Sequence, residues 1–189
     1  MPRLGGGNYY RYWHFWVVRG RLYQHPIYCP SSKVMQTPSR PISAANWPEA
    51  LKCAQRIKCL LLDEGHRRRQ PRAIGIAAPQ LGYNLRLIGM RMSNHHLLLL
   101  QNPTIMAHSP IRRASFEGCL SVPGEQRQVF RYNEVLVEFQ TPNDPTRTYQ
   151  RRLFRGLASF VIQHELNHLE ARPWWRSSLG SRTKRLRGG

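Results

Sequence analysis

The chain has 189 residues, enough for one globular domain of ordinary size with tails to spare. Hydrophobic residues make up 41% of it, yet no stretch approaches the ~18 consecutive apolar residues of a membrane span. Its 29 basic residues against 10 acidic give a net charge of +19, which favours a polyanionic partner, RNA above all, over the plainer reading of a well-solvated basic protein.

The surplus is uneven. Residues 1–48 and 171–189 each hold six basic residues and no acid, so the two ends carry +12 of the charge. Four cysteines, Cys29, Cys53, Cys59 and Cys119, form no CxxC pair, and a reducing compartment is the simpler expectation.

In chain order, residues 1–41 read as a basic, aromatic-rich extension, with Gly5-Gly6-Gly7 and then Tyr, Trp and Arg from Tyr9 onward, without clear periodicity. An acid-free, Arg-bearing start is compatible with a transit peptide and a mitochondrial location; the competing reading is an ordered extension lying on RNA or protein. A first helix is expected over Pro48–Glu64: Pro48 and Glu49 suit a first turn, Leu51, Ala54, Ile57 and Leu61 make a stripe, and Gly65 ends it. Cys53 and Cys59 on this helix read as small core residues. His66–Arg72 reads as an exposed basic loop. Strands are expected at Arg86–Met90, Leu97–Gln101, Val129–Arg131 and Glu134–Gln140, with breaks at Asn102-Pro103 and at residues 142–145. A second helix should span Leu157–Leu169, and residues 173–189 form a basic tail containing Arg182, Lys184, Arg185 and Arg187. Several strands between two helices predict an α+β domain over 42–172.

The second helix carries His164-Glu165-Leu166-Asn167-His168, an HExxH pattern. Histidines four apart lie one turn apart on one helix face, so both imidazoles reach one metal ion, and Glu165 beside them can take a proton from its water. Catalytic sites of this kind use three protein ligands and an open position. No Asp, Glu, His or Cys follows Glu170, and Glu170 itself projects to another side of the helix, so the third ligand must lie upstream. Cys119, in Glu117-Gly118-Cys119-Leu120-Ser121, is the candidate, with Gly118 leaving room for a close backbone approach.

With Ile74-Gly75-Ile76-Ala77-Ala78-Pro79-Gln80 as a third block, the sequence resembles the peptide deformylase family over roughly residues 25–170. The resemblance implies a compact α+β fold, antiparallel or mixed strands around a central HExxH helix. It implies one divalent metal, Fe2+ or Zn2+, on Cys119, His164 and His168. Gln80 and the backbone N–H of Leu120 would stabilise an oxyanion, and Glu165 would act as acid and base. Removal of the formyl group from the initiator methionine of nascent peptides is the implied reaction. Gly75 lacks a side chain, so the segment from Ile74 can pair with an extended peptide as an added strand.

Four positions depart from the family pattern. Ala73 replaces a glycine and would be strained at positive φ. Asn167 replaces an Asp that commonly orients a ligand. Arg127 replaces a small residue near the substrate path, and Pro173 should stop the second helix early. Two functions are therefore expected: an active deformylase on or near an organellar ribosome, contacting ribosomal RNA and proteins, or a deformylase-like structural, RNA-binding subunit of a mitochondrial ribosome with reduced or no activity.

Overall fold

The structure, a computed structural model, describes residues 11–18, 21–62, 73–93, 96–142, 148–175 and 184–185, with side chains placed from residue 27 to residue 175. The expected basic loop His66–Arg72, most of the break after Pro142 and most of the basic tail lie outside the described residues. In chain order the elements are β1 (Arg11–Val18), β2 (Arg21–Tyr28), α1 (Trp47–Leu62), β3 (Gly75–Ala77), β4 (Leu87–Arg91), β5 (Leu97–His108) and β6 (Arg112–Cys119). There follow β7 (Val122–Tyr132), β8 (Glu134–Gln140), β9 (Gln150–Arg155), α2 (Leu157–Leu169) and β10 (Lys184–Arg185).

The main sheet runs β3-β4-β5-β8-β9, antiparallel throughout, with β10 parallel to the end of β5. Two antiparallel hairpins, β1-β2 and β6-β7, stand apart from it. Side chains alternate between the faces of a strand, and partners across an antiparallel pair share a face. Ile76 therefore shares a face with Gly89, its partner on β4, and with Leu87 beyond it, in a core that includes Ile57 and Leu61 of α1. Ala77 lies opposite Ile88 on the other face, in a second core with Leu100, Val135, Val137, Phe154 and Ile162, Leu166 and Leu169 of α2. The sheet is thus covered by α1 on one side and α2 on the other.

Two glycines set how closely those helices approach. A Cβ on Gly89 would lie 2.1 Å from Ile57 Cγ2, so α1 needs hydrogen there. A Cβ on Gly75 would lie 2.5 Å from Val161 Cγ1 and 2.7 Å from Glu165 Oε1, so α2 needs it too. The close packing leaves α2 buried continuously from Ile162 to Leu169, a segment enclosed on all sides, while its first turn reaches the surface at Leu157.

Several expectations need correction. The buried stripe of α1 is Ala50, Cys53, Ala54, Ile57 and Leu61, while Leu51 lies outside it and is 46% exposed. Cys53 is fully buried, but Cys59 only partly so. Asn102-Pro103 does not break β5, because a bulge carries the strand through it. Asn102 adopts φ 50°, a conformation Asn tolerates, and its amide bridges the Ile42 backbone (2.8 and 3.0 Å) and Gln140 Oε1 (3.1 Å). The expected strand Val129–Arg131 is only the end of an eleven-residue β7. Ala73 is half-buried against the first core, and it is not among the described non-glycine residues at positive φ, so the anticipated strain is absent.

Helix α2 stops at Leu169, before Pro173 can act. Arg172 N–H donates to Asn167 O (2.8 Å) and Ala171 N–H to His168 O (3.2 Å), with Ala171 at φ 52°. That is a Schellman closure with alanine in the position glycine favours. It turns the chain back, so that Trp174 is buried against His164.

Candidate active site

Three pieces of chain meet at one point. Strand β6 ends on Cys119, the buried C-terminal half of α2 carries His164 and His168, and the 3-10 turn Ala78–Leu81 carries Gln80. One donor atom from each of Cys119, His164 and His168 lies within 4.8 Å of the others, and all three residues are buried. Cys119 Sγ is 3.2 Å from His168 Nε2. Sulfur and nitrogen ligands at ~2.3 and ~2.0 Å in a tetrahedron would stand about 3.5 Å apart, close to the spacing of Cys119 Sγ and His168 Nε2, so this pair fits one divalent ion.

His164 shows how the ligands are held. Its Nδ1 is 2.9 Å from Glu117 Oε2, which leaves the other ring nitrogen for an ion. Glu117 also accepts from Arg131 Nε (3.0 Å) and Nη2 (2.8 Å), a two-point contact with a guanidinium that is fully buried. Arg131 Nη2 donates again to Trp174 O, which also accepts from Asn167 Nδ2 at 2.9 Å. The Trp174 indole stacks on the His164 ring, centroids 5.2 Å apart. Asn167, which replaces an Asp that commonly orients a ligand, uses its amide to anchor the Trp174 carbonyl, and Glu117 orients His164. Glu117 lies within the Cys119 block of sequence, but its role depends on His164 and Arg131, which only the fold brings to it. Arg131 and Trp174 were missed, although an arginine two residues from Val129 on the inward face of a strand is a signal of a buried ion pair.

The electrostatics call for a cation. Burial, then the nearby Glu165 carboxylate, pushes the Cys119 thiol up to about 12, against partial relief from hydrogen bonds at Ser121 and Val122. Burial holds the His168 imidazole well below its usual range, with His164 and Arg131 adding to the effect, and it lowers His164 despite Glu117. The Glu165 carboxyl is raised well above the ordinary carboxylate value by burial and then by Glu117, and its Oε2 is buried with no hydrogen-bond partner among the described residues. Glu117 goes the other way: burial raises it, but its bonds from His164 and Arg131 outweigh burial and leave it depressed. A divalent ion would balance a Cys119 thiolate and a Glu165 carboxylate, just as Arg131 balances Glu117.

The remaining predicted residues surround this point. Gln80 accepts the Ala77 N–H at its Oε1 (2.9 Å), and its Nε2 lies 3.2 Å from Ser121 Oγ and 3.5 Å from Cys119 Sγ. Its amide donor is therefore aimed at the donor cluster and held from behind. Leu120 sits in the turn after Cys119, half-buried against the first core. Gly118 faces Gln126 across the hairpin, and a Cβ there would meet Glu125 O at an ordinary 3.4 Å, so lack of space does not require glycine. Ile74 O accepts the Arg91 N–H at 2.8 Å just before β3, and β3 is an end strand of the main sheet. Arg127 pairs with Glu125 and lies 4.2 Å over the Trp175 ring, on the surface rather than inside the cluster.

An α+β scaffold that brings Cys, His, His, a buried Glu and an amide donor to one point defines a metal-dependent amide hydrolase. The chain belongs to the polypeptide deformylase family, whose model it matches over residues 24–176. It is 32% identical over 130 residues to a peptide deformylase of Dictyoglomus thermophilum, an alignment covering 69% of this chain and 82% of that one. It is similar to a class I type b peptide deformylase of Acinetobacter baumannii, with TM-score 0.67 and 28% identity over 79% of this chain and 96% of that one. A structure of that protein with Met-Ala-Ser bound gives TM-score 0.64 and 27% identity, covering 79% and 95% of the two chains. Family membership makes the chain an enzyme that depends on a metal ion and acts on formylmethionyl peptides. Among the described residues no helix is long and apolar enough to cross a membrane.

Proposed function

We propose that this chain deformylates the initiator methionine of nascent polypeptides beside an organellar ribosome, with one divalent ion held by Cys119, His164 and His168. The observation that carries the reading is the convergence of those three donor atoms within 4.8 Å, with Glu165 buried on the same helix. When bound, a ferrous or zinc ion, either of which suits a Cys-His-His set, supplies Lewis-acid polarisation and lowers the pKa of a water.

The chain's own residues do the rest. Ile74 and Gly75 align the peptide along the end strand β3, with Gly118 on the opposite wall. The Gln80 amide and the Leu120 N–H donate to the oxygen of the formyl group as negative charge gathers on it, worth ~3–4 kcal/mol of barrier for one such donor. Glu165 takes a proton from the attacking water and delivers it to the departing amine. A C–O bond forms at the formyl carbon, the C–N bond breaks, and formate leaves with a free N-terminus. Burial, which raises the Glu165 carboxyl, makes it a better base for this transfer.

The net charge of +19 supports ribosomal RNA and ribosomal proteins as partners, and the acid-free start supports a mitochondrial location. The same charge favours a second reading, a structural RNA-binding subunit of a mitochondrial ribosome with reduced or no activity. Formate release from formyl-Met-Ala-Ser by metal-loaded protein tests the first. Glu165→Ala is expected to lose at least about 100-fold in kcat; equal turnover in that variant contradicts the mechanism. A folded, metal-loaded protein that releases no formate yet sediments with mitochondrial ribosomes establishes the second reading.

A further inference from the structure

The β6-β7 hairpin has two unlike faces. Inward it carries Glu117, Cys119 and Arg131, the site just described. Outward, the register sets Phe116 opposite Gln128, Ala114 opposite Phe130 and Arg112 opposite Tyr132. Phe116 is 75% exposed and Phe130 58% exposed, the two most exposed phenylalanines among the described side chains. They are diagonal neighbours across the strand pair, roughly 7–8 Å apart, so each ring has room for its own flat partner.

We infer that this outward face is a stacking platform for single-stranded RNA. Base stacking on exposed aromatics of a β surface tolerates any sequence, because every base presents a π face. Polar groups complete the surface. Gln126 and Gln128 offer amides to base edges, and Arg112 lies 4.6 Å over the Tyr132 ring, with the His108 ring 3.9 Å from that same ring. Neither acid of the hairpin reaches this face: Glu117 is turned inward to His164 and Arg131, and Glu125 is paired with Arg127.

Charge decides the occupant. A second copy of this chain would bring another +19 against the first, whereas RNA brings the opposite sign. The inference rests on the RNA partner proposed above and is independent of the hydrolase chemistry on the inward face.

The full chain is titrated with a short fluorescein-labelled oligouridylate by anisotropy at several salt concentrations. The Phe116→Ala/Phe130→Ala variant is expected to bind about tenfold or more weakly, with an unchanged dependence on salt, because stacking is lost and phosphate contacts stay. Its formate release should match the wild type, which also reports that the fold is intact. A Phe116→Tyr/Phe130→Tyr variant should keep its affinity. Irradiation at short ultraviolet wavelength, which needs no variant, should join uridine to Phe116 or Phe130.

Four results would overturn the platform. They are wild-type affinity in the double alanine variant, no RNA binding by the wild type, crosslinks confined to other residues, and a wild-type dimer that the alanines dissociate. The last would assign the face to a second copy. None of these touches formate release, so failure here is distinct from failure of the hydrolase reading.

Discussion

Glu117 and Arg131 do for the site what no metal ligand can do for itself. A carboxylate holding His164 by its Nδ1 sets the ring's tautomer and direction, and a buried guanidinium keeps that carboxylate ionised. Removing one partner leaves the other charge buried, a loss of about 3–5 kcal/mol. Glu117→Gln, which retains the shape, should lower metal affinity about 10–100-fold, read by competition with a chelating dye. The pH dependence has a definite sign. The folded Glu117 carboxyl lies below its ordinary value of 4.5, so its contribution to stability is complete above that value. It is lost as pH falls through the lower, folded value. Urea midpoints of the wild type should therefore fall more steeply in acid than those of Glu117→Gln. Parallel curves would show that the carboxylate does not carry this linkage.

At the scale of elements, the approach of the two helices to the sheet rests on two hydrogens. Gly75→Ala drives a methyl into Val161 and Glu165, and Gly89→Ala drives one into Ile57. Each should destabilise by about 1–3 kcal/mol. Only Gly75→Ala should also depress kcat, because only it displaces the proposed base. Equal turnover per folded molecule in both variants would separate Gly75 from the chemistry. The end of α2 offers the opposite effect. Ala171 at φ 52° closes a Schellman turn where glycine is unstrained, so Ala171→Gly should raise stability by roughly 1 kcal/mol in urea denaturation.

The same elements explain what the sequence revealed and what it hid. Helix α2 and strand β8 were legible to the residue, because the apolar period of 157–169 and the strict alternation of 134–140 each have one interpretation. The β6-β7 hairpin was not. Its outward face bears Phe116 and Phe130 and its inward face bears Glu117 and Arg131, which inverts the usual pattern of apolar in and polar out. Strand β5 was cut short at Asn102-Pro103, since a bulge closed by Ile42 and Gln140 depends on partners far along the chain. The candidate site read differently again. The ligand residues form local blocks of sequence, while Arg131 and Trp174 join them only through the fold.

Across the whole molecule, the six-stranded sheet with its two helices is one body, and the β6-β7 hairpin is a two-stranded piece beside it. Such a hairpin is marginal alone. It is tied to α2 by Glu117 to His164, by Arg131 to the chain after α2, and by the proposed ion between Cys119 and the two histidines. Stripping that ion should loosen this join first. At an ion concentration ~100 times its Kd, bound metal adds about 2.7 kcal/mol. A chelator should therefore lower the unfolding midpoint and raise amide exchange in residues 112–132 ahead of β4 and β8. Uniform exchange across the chain would show that the ion does not join hairpin to helix.

The central claim is that one ion sits on one sulfur and two imidazole nitrogens. X-ray absorption at the iron or zinc edge of purified, fully loaded protein measures this directly. The account predicts one sulfur at ~2.3 Å and two nitrogens at ~2.0–2.1 Å around a single ion per chain. A spectrum with no sulfur neighbour, or one unchanged in a Cys119→Ser variant, would contradict it.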